Sequence, residues 1–134
     1  MSTITGIAHV GIRVAELARS RTFYEALGFE FVMGPVGPEP VAIMRHPSGV
    51  EVNFILNAAA RAEPVNVLMD GEEKHAGITH VALLVDDLGG WLETLEAAGI
   101  PLSGGPVEFP NGGRAVFVRD PDRNVLELHQ AAPR

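Results

Sequence analysis

His9 and His80 stand at the same place in two closely similar runs, GIAHVGIRV (residues 6–14) and GITHVALLV (residues 77–85), 71 positions apart. A third group with chemical potential is Glu127, inside NVLELH, with His129 two residues further on. Alternate side chains of a strand share a face. Leu126 and Leu128 therefore take one face, and Glu127 and His129 the other. Two imidazoles and one carboxylate are the ligand set of a facial triad, which leaves positions on a divalent ion open for water or a bidentate substrate. A lone strand histidine is more often packed or merely exposed. The doubling of the histidine, together with a carboxylate set between leucines, is what points to a metal. Glu127 also has a plainer reading as a solvated edge-strand residue, which its setting in DPDRNVLELH speaks against.

The elements that must position these groups repeat as well. EALGF (residues 25–29) matches EAAGI (96–100) at the same offset of 71, and MRHPSGVEVNF (44–54) matches VRDPDRNVLEL (118–128) at an offset of 74. Self-similarity at a fixed spacing marks a repeated structural unit, and the three extra residues fit a lengthened loop. In the first half, the pattern predicts a strand from Thr3 to Val14. A helix over 16–27 follows, with Leu17, Ser20, Tyr24 and Leu27 on one stripe and Gly28 stopping it. Next come a strand over 29–33, a Gly/Pro turn over 34–40, and a hairpin of 41–45 with 50–56 around Pro47-Ser48-Gly49. The second half gives a strand over 77–85 and a helix from Asp86 or Asp87 to Gly99, its stripe being Leu88, Trp91, Leu92 and Leu95. Short strands follow near 100–102, 114–119 and 125–129. Each half reads βαβββ. The expected fold class is α+β: two tandem modules, about 1–57 and about 76–130, in a single domain over 1–134. Residues 58–75 link them, small and polar first, then apolar from Val65 to Met69. That linker reads as a packed connector ahead of a lid over a site.

Strand parity sorts the polar residues. Val50, Val52, Phe54 and Leu56 form a helix-packed face, and Glu51, Asn53, Ile55 and Asn57 form the other. His9, Gly11 and Arg13 share the corresponding face of the first strand. Modules related by a pseudo-twofold axis are expected to gather equivalent positions about that axis. His9 is equivalent to His80, and at the offset of 74 Asn53 is equivalent to Glu127. Glu51 has the right parity but would reach the same corner only after a two-residue slip, so Asn53 stands ahead of it as the fourth corner. Tyr24 reads as helix packing, and His46 and His75 as exposed turn and linker residues.

Bulk properties narrow the function classes. The 134 residues, 46% hydrophobic and 20% charged, suit one ordinary globular domain. Either module alone would be marginal by surface-to-volume scaling, so the halves are expected to pack together or to exchange between chains. A net charge of −7 argues against nucleic acid, whose binding needs clustered Lys and Arg. A small anionic ligand stays open, because a local Arg outweighs distant carboxylates. The absence of cysteine removes disulfides, thiolate nucleophiles and Cys-ligated metals. The N-terminus MSTITGIAHV lacks a signal-peptide pattern, and no apolar run approaches the roughly 18 residues needed to span a bilayer. A cytoplasmic location without membrane partners is the default expectation.

The doubled module with HVGIRV (9–14), FYEALGF (23–29), HVALLVDD (80–87) and RDPDRNVLEL (119–128) resembles the vicinal oxygen chelate superfamily, over about residues 4–130. That superfamily includes glyoxalase I, extradiol dioxygenases, methylmalonyl-CoA epimerase, and the bleomycin and fosfomycin resistance proteins. The resemblance implies a cup-shaped mixed sheet with helices on its outer face, and a homodimer. It also implies a central divalent metal and small-molecule substrates that chelate through adjacent oxygens. Similarity to glyoxalase I further implies that Arg13 and Asn57, each four residues after a ligand position, grip a glutathione moiety. One departure is plain: glyoxalase I carries glutamate where this chain has Asn53, so the first-half partner cannot act as a base.

Three functions follow as expectations. The first is a metal-dependent glyoxalase-type lyase or isomerase acting on a small substrate with vicinal oxygens, such as a glutathione hemithioacetal. His9, His80 and Glu127 would hold Zn, Ni, Mn or Fe, and Glu127, or a metal-bound hydroxide, would serve as base. The second is an Fe(II) extradiol-type dioxygenase, since the loss of the second carboxylate leaves a 2-His-1-carboxylate set and His129 is the available second acid or base. The third is a metal-free protein that binds a small molecule or drug.

Overall fold

The computed structural model describes residues 1–134 and divides into two compact units, Met1–Glu63 and Pro64–Arg134. The first unit runs β1 (Val10–Arg13), α1 (Leu17–Ala26), β2 (Glu30–Val36), β3 (Val41–Arg45) and β4 (Glu51–Ile55). The second runs β5 (His80–Leu84), α2 (Leu88–Ala97), β6 (Gly104–Glu108), β7 (Arg114–Arg119) and β8 (Val125–Gln130). Each unit is therefore βαβββ, as the repeat predicts. Each builds one four-stranded mixed sheet, in the orders β1-β4-β3-β2 and β5-β8-β7-β6. In both, the first strand lies parallel to the last and the remaining pairs are antiparallel. A parallel pair needs a long crossover, which the helix and the two intervening strands supply.

One face of each sheet is covered by its own helix and the other carries the polar residues. In the first unit Ile12, Ala42, Met44, Val52 and Phe54 are buried with Tyr24 of α1. The Tyr24 ring meets Phe54 and Phe29 edge-on, with centroids 5.0 and 5.8 Å apart, so this tyrosine is a packing residue as its helix position predicts. In the second unit Leu88 and Leu95 of α2 are buried with Val116, Val118, Leu126 and Leu128. Asp87 at the start of α2 makes no side-chain cap. The Leu88 N–H donates instead to Gln130 Oε1 at 2.8 Å, so β8 finishes the helix end.

Four boundaries differ from the sequence reading. The strands expected to start at Thr3 and Gly77 start at Val10 and His80, leaving Ile4, Ile7 and Ile78 exposed. Val10 pairs with Val52 and His80 with Val125, while β4 and β8 begin at Glu51 and Val125. Upstream there is no neighbouring strand left to bond. The strand expected over 100–102 lies at Gly104–Glu108, and β2 continues to Val36 through Gly34-Pro35, which the sequence pattern assigns to a turn. Both Gly-Pro pairs lie on outer strands, where a missing proline N–H costs no ladder bond. Gly34 and Gly105 are themselves 71 positions apart. A Cβ would come within 2.5 Å of Val41 O at Gly34 and within 2.7 Å of Ala115 O at Gly105, each at positive φ.

The second half of the linker is held by polar contacts, while Val65, Val67 and Met69 of its apolar run stay exposed. Asn66 turns the chain, its Oδ1 accepting from the Leu68 and Met69 N–H groups and its Nδ2 donating to Arg123 O at 3.0 Å. Arg119 then grips Asp70 with both terminal nitrogens, at 3.2 and 3.0 Å. Hydrogen bonds from Arg119 hold the Asp70 carboxyl below its ordinary range, against an opposing push from burial. No helix is long and apolar enough to cross a membrane.

Candidate functional site

The register of the sheets fixes which repeat positions correspond. Gly11 pairs with Asn53 on one sheet and Ala82 with Glu127 on the other. Because Gly11 and Ala82 are 71 apart, Asn53 and Glu127 occupy equivalent places. His80 likewise pairs with Val125, which sets Glu51 opposite the position of His9 and equivalent to Val125. The parity reading therefore holds within each unit. His9, Gly11, Arg13, Glu51, Asn53 and Ile55 share the face away from α1. His80, Ala82, Leu84, Val125, Glu127 and His129 share the face away from α2.

In the second unit Glu127 is buried, only 7% exposed, on a strand flanked on both sides. Its Oε1 stands 3.1 Å from His80 Nε2, and its Oε2 lies 2.7 Å from His129 Nδ1. A carboxylate only accepts, so the facing nitrogen of His129 is the donor. His129 is fixed in turn by stacking on Phe109, with centroids 5.2 Å apart and planes inclined by 17°. Gly113 lies beneath the ring, where a Cβ would come within 3.3 Å of His129 Nε2. His80 rests edge-on against Phe117, and its Nδ1 lies 2.9 Å from Thr79 Oγ1. The two imidazoles approach opposite oxygens of Glu127. They do not face one common point, and no ready-made cage of three such groups occurs within the unit.

The first unit is built differently at the equivalent place. Asn53 has a buried Oδ1 without a hydrogen-bond partner. A buried acceptor left unmet costs about 1–3 kcal/mol, so this oxygen is one that a bound group could satisfy. Glu51 is committed to Arg45, at 2.8 Å, with its other oxygen 4.0 Å from His9 Nδ1. His9 itself is exposed, just upstream of β1. Arg13 and Asn57 meet: Arg13 Nε donates to Asn57 Oδ1 at 2.8 Å. Asn57 Nδ2 then donates to Glu39 Oε1 at 3.1 Å, and Arg13 Nη2 lies 3.6 Å from the same oxygen.

These groups suit a divalent ion by donor chemistry. Two ligand atoms about 2.1 Å from one ion, at a right angle, are about 3 Å apart. His80 Nε2 and Glu127 Oε1 are 3.1 Å apart. In the first unit, the Asn53 Oδ1 is an oxygen donor with no hydrogen-bond partner of its own. His46 and His75, by contrast, stand apart from both polar faces: His46 closes the β3–β4 turn with Ser48 and packs on Phe29, and His75 is exposed beside Glu73.

Several residues of these faces escape a sequence reading. Phe109, which sets the plane of His129, lies in an irregular run and announces nothing. Glu39 lies in a turn whose acidic residue has no motif. Arg45 and Arg119 were within reach, since they are equivalent in the second repeat block. Each is engaged by a carboxylate, Glu51 in one case and Asp70 of the linker in the other.

Two βαβββ units in tandem, each with its own four-stranded mixed sheet, define the fold class of this chain. Residues 6–128 match the family described as the glyoxalase/bleomycin resistance protein/dioxygenase superfamily, and the chain belongs to it. No curated protein matches the sequence. Among solved structures, a glyoxalase family protein from Enterococcus faecalis shares 26% identity at a TM-score of 0.75, covering 93% of this chain and 97% of that one. A lactoylglutathione lyase from Agrobacterium tumefaciens shares 20% identity at a TM-score of 0.69, over 97% of this chain and 96% of its own. A fosfomycin resistance protein from Listeria monocytogenes shares 16% at 0.70, over the same fractions. The last two likenesses speak for the fold alone.

Proposed function

We propose that this chain is a metal-dependent enzyme of the glyoxalase type, acting on a small substrate with adjacent oxygens such as the hemithioacetal of glutathione and a 2-oxoaldehyde. The observation that carries the reading is the buried Glu127 carboxylate, one oxygen facing His80 Nε2 at 3.1 Å and the other tied to His129. On this reading His9, His80 and Glu127 would hold the ion, with Asn53 Oδ1 as the fourth donor. A divalent ion held there would supply Lewis-acid polarisation of substrate oxygens.

Glu127 has the features of a proton carrier. His129 holds Oε2 and thereby fixes the rotation of the carboxylate; Oε1, exchanged at the ion for a substrate oxygen, would take a proton from the carbon bearing the sulfur and hydroxyl and return it to the neighbouring carbonyl carbon. The hydroxyl proton moves between the two oxygens in the same change, giving a 2-hydroxy thioester with no atom gained or lost. Asn53 cannot take a proton, so one carboxylate has to serve both transfers. Assay of the metal-reconstituted protein with methylglyoxal and glutathione tests this. Thioester formation with at least one of Zn, Ni, Co or Mn is expected, and none with any of them would sink the reading.

Asn53 also favours a second reading, an Fe(II) dioxygenase, because its amide leaves a 2-His-1-carboxylate set. Anaerobic loading with Fe(II) followed by a catechol panel in air separates the two. Yellow ring-cleaved products would support the dioxygenase.

A further inference from the structure

The two repeats treat one pair of arginines differently. Arg45 and Arg119 are equivalent at the offset of 74. Arg45 pairs across the strands with Glu51, and Arg119 with Val125. Directly paired residues share a face, so both arginines stand on the polar faces, Arg119 in one row with Val125 and His80. In the first unit the neighbouring strand supplies the counter-charge, with Glu51 2.8 Å from Arg45. In the second unit that neighbour is apolar, and the counter-charge comes from outside the sheet. Asp70 of the linker takes both terminal nitrogens of Arg119, while the Asn66 N–H at 3.2 Å and Arg123 Nε at 3.7 Å face its Oδ2. The buried Arg119 Nε keeps no partner at all. Donors from three residues thus converge on one carboxylate, on the face that carries His80 and Glu127. The strap that brings this carboxylate leaves Val65, Val67 and Met69 exposed. A segment with few buried apolar contacts opens at low cost. His80 and Arg119 stand two strand spacings apart, about 10 Å between backbones, a gap that an arginine side chain and a small ligand span together.

We infer that Arg119 is the anion-binding residue of this face, that it takes a carboxylate of the ligand, and that Asp70 is a tethered stand-in occupying it until that carboxylate arrives. The inference rests on the proposed function only in taking the polar face of the second sheet as the ligand face. A tethered carboxylate competes at an effective concentration on the order of millimolar. Asp70 therefore sets a threshold: a neutral ligand leaves the strap in place, and a carboxylate that replaces it shifts the strap open.

The test uses acetate, which copies the end of the Asp70 side chain, with acetamide as the neutral control. Both are titrated into the full chain without metal, at an ionic strength held constant with chloride. By amide chemical shifts, D70A should bind acetate at least about tenfold more tightly than wild type, because the tethered competitor is gone. The shifts should fall at Asn66, Arg119 and Arg123, and acetamide should cause none. D70A/R119Q should lose the binding, and D70A/R45Q should keep it, since Glu51 already meets Arg45. In wild type, acetate should speed amide exchange at Leu68, Met69 and Asp70 several-fold, whereas an ion pair that only anchors the linker would leave exchange unchanged. This last arm needs no variant to fold. Equal affinity in wild type and D70A, binding that survives R119Q, or exchange indifferent to acetate would overturn the assignment. Turnover distinguishes this failure from failure of the catalytic reading. Acetate binding by D70A in a chain that isomerises nothing with any metal would sink the glyoxalase reading and leave Arg119 its role. Isomerisation by a chain whose D70A form ignores acetate would do the reverse.

Discussion

Replacing Glu127 by Gln removes one charge from a buried strand and nothing from its volume, so its effects can be worked from the contacts. The carboxylate accepts from His129 at 2.7 Å and faces His80 at 3.1 Å. A hydrogen bond to a charged acceptor contributes roughly 1.5–3 kcal/mol, and an amide oxygen retains part of it. The metal-free variant should therefore lose only about 1 kcal/mol of stability. Metal binding should suffer far more. Loss of an outer partner alone weakens metal sites 10–100-fold, so loss of the anionic ligand should exceed about 100-fold, or roughly 2.8 kcal/mol. At a metal concentration 100 times the wild-type Kd, bound metal stabilises the native chain by about 2.7 kcal/mol, and the same concentration should give E127Q only about 0.4 kcal/mol. Calorimetric titration with Zn or Ni, paired with thermal melts with and without metal, reads both numbers. H80A should match E127Q. H129A, which removes only the support for Oε2, should lose about tenfold. Retention of wild-type affinity within threefold by E127Q, with its metal-induced melting shift intact, would refute the assignment of Glu127 as a ligand.

Other outcomes follow from the same contacts. Phe54→Ala empties a fully buried aromatic site against Tyr24 and should cost about 3–5 kcal/mol in urea unfolding. Gly34→Ala would set a Cβ 2.5 Å from Val41 O at a φ of +123°, and should lower stability by about 1–3 kcal/mol, with Gly105→Ala behaving alike. Asp70 has its folded pKa lowered, so its contribution is present above the ordinary value of 3.8 and is lost as pH falls through the lower folded value. D70N should therefore melt below wild type at pH 7, and the two curves should converge below pH 3.8; a constant gap down to pH 2 would contradict the Arg119 anchor.

What the chain reveals by itself is its periodicity. The offsets of 71 and 74 predict two βαβββ units, and strand alternation places His9, Arg13, Asn53, His80, Glu127 and His129 on polar faces because side chains alternate with a period of two whatever the surroundings. The equivalence of Asn53 with Glu127 is legible in the same way and reappears as strand register. Strand ends are not legible, because a strand stops where its neighbour does: Thr3–Ala8 has strand-like composition and no partner to bond. Nor are the Gly-Pro segments of β2 and β6, whose local chemistry says turn, while their place at the outside of a sheet makes the missing N–H harmless. Contacts between segments distant in sequence belong wholly to tertiary structure. Glu39 reaches Asn57 across 18 residues, Arg119 reaches Asp70 across 49, and Phe109 stacks on His129. Periodicity fixes which face a side chain takes, but only the folded chain decides which partner stands beside it and so how its charge is spent.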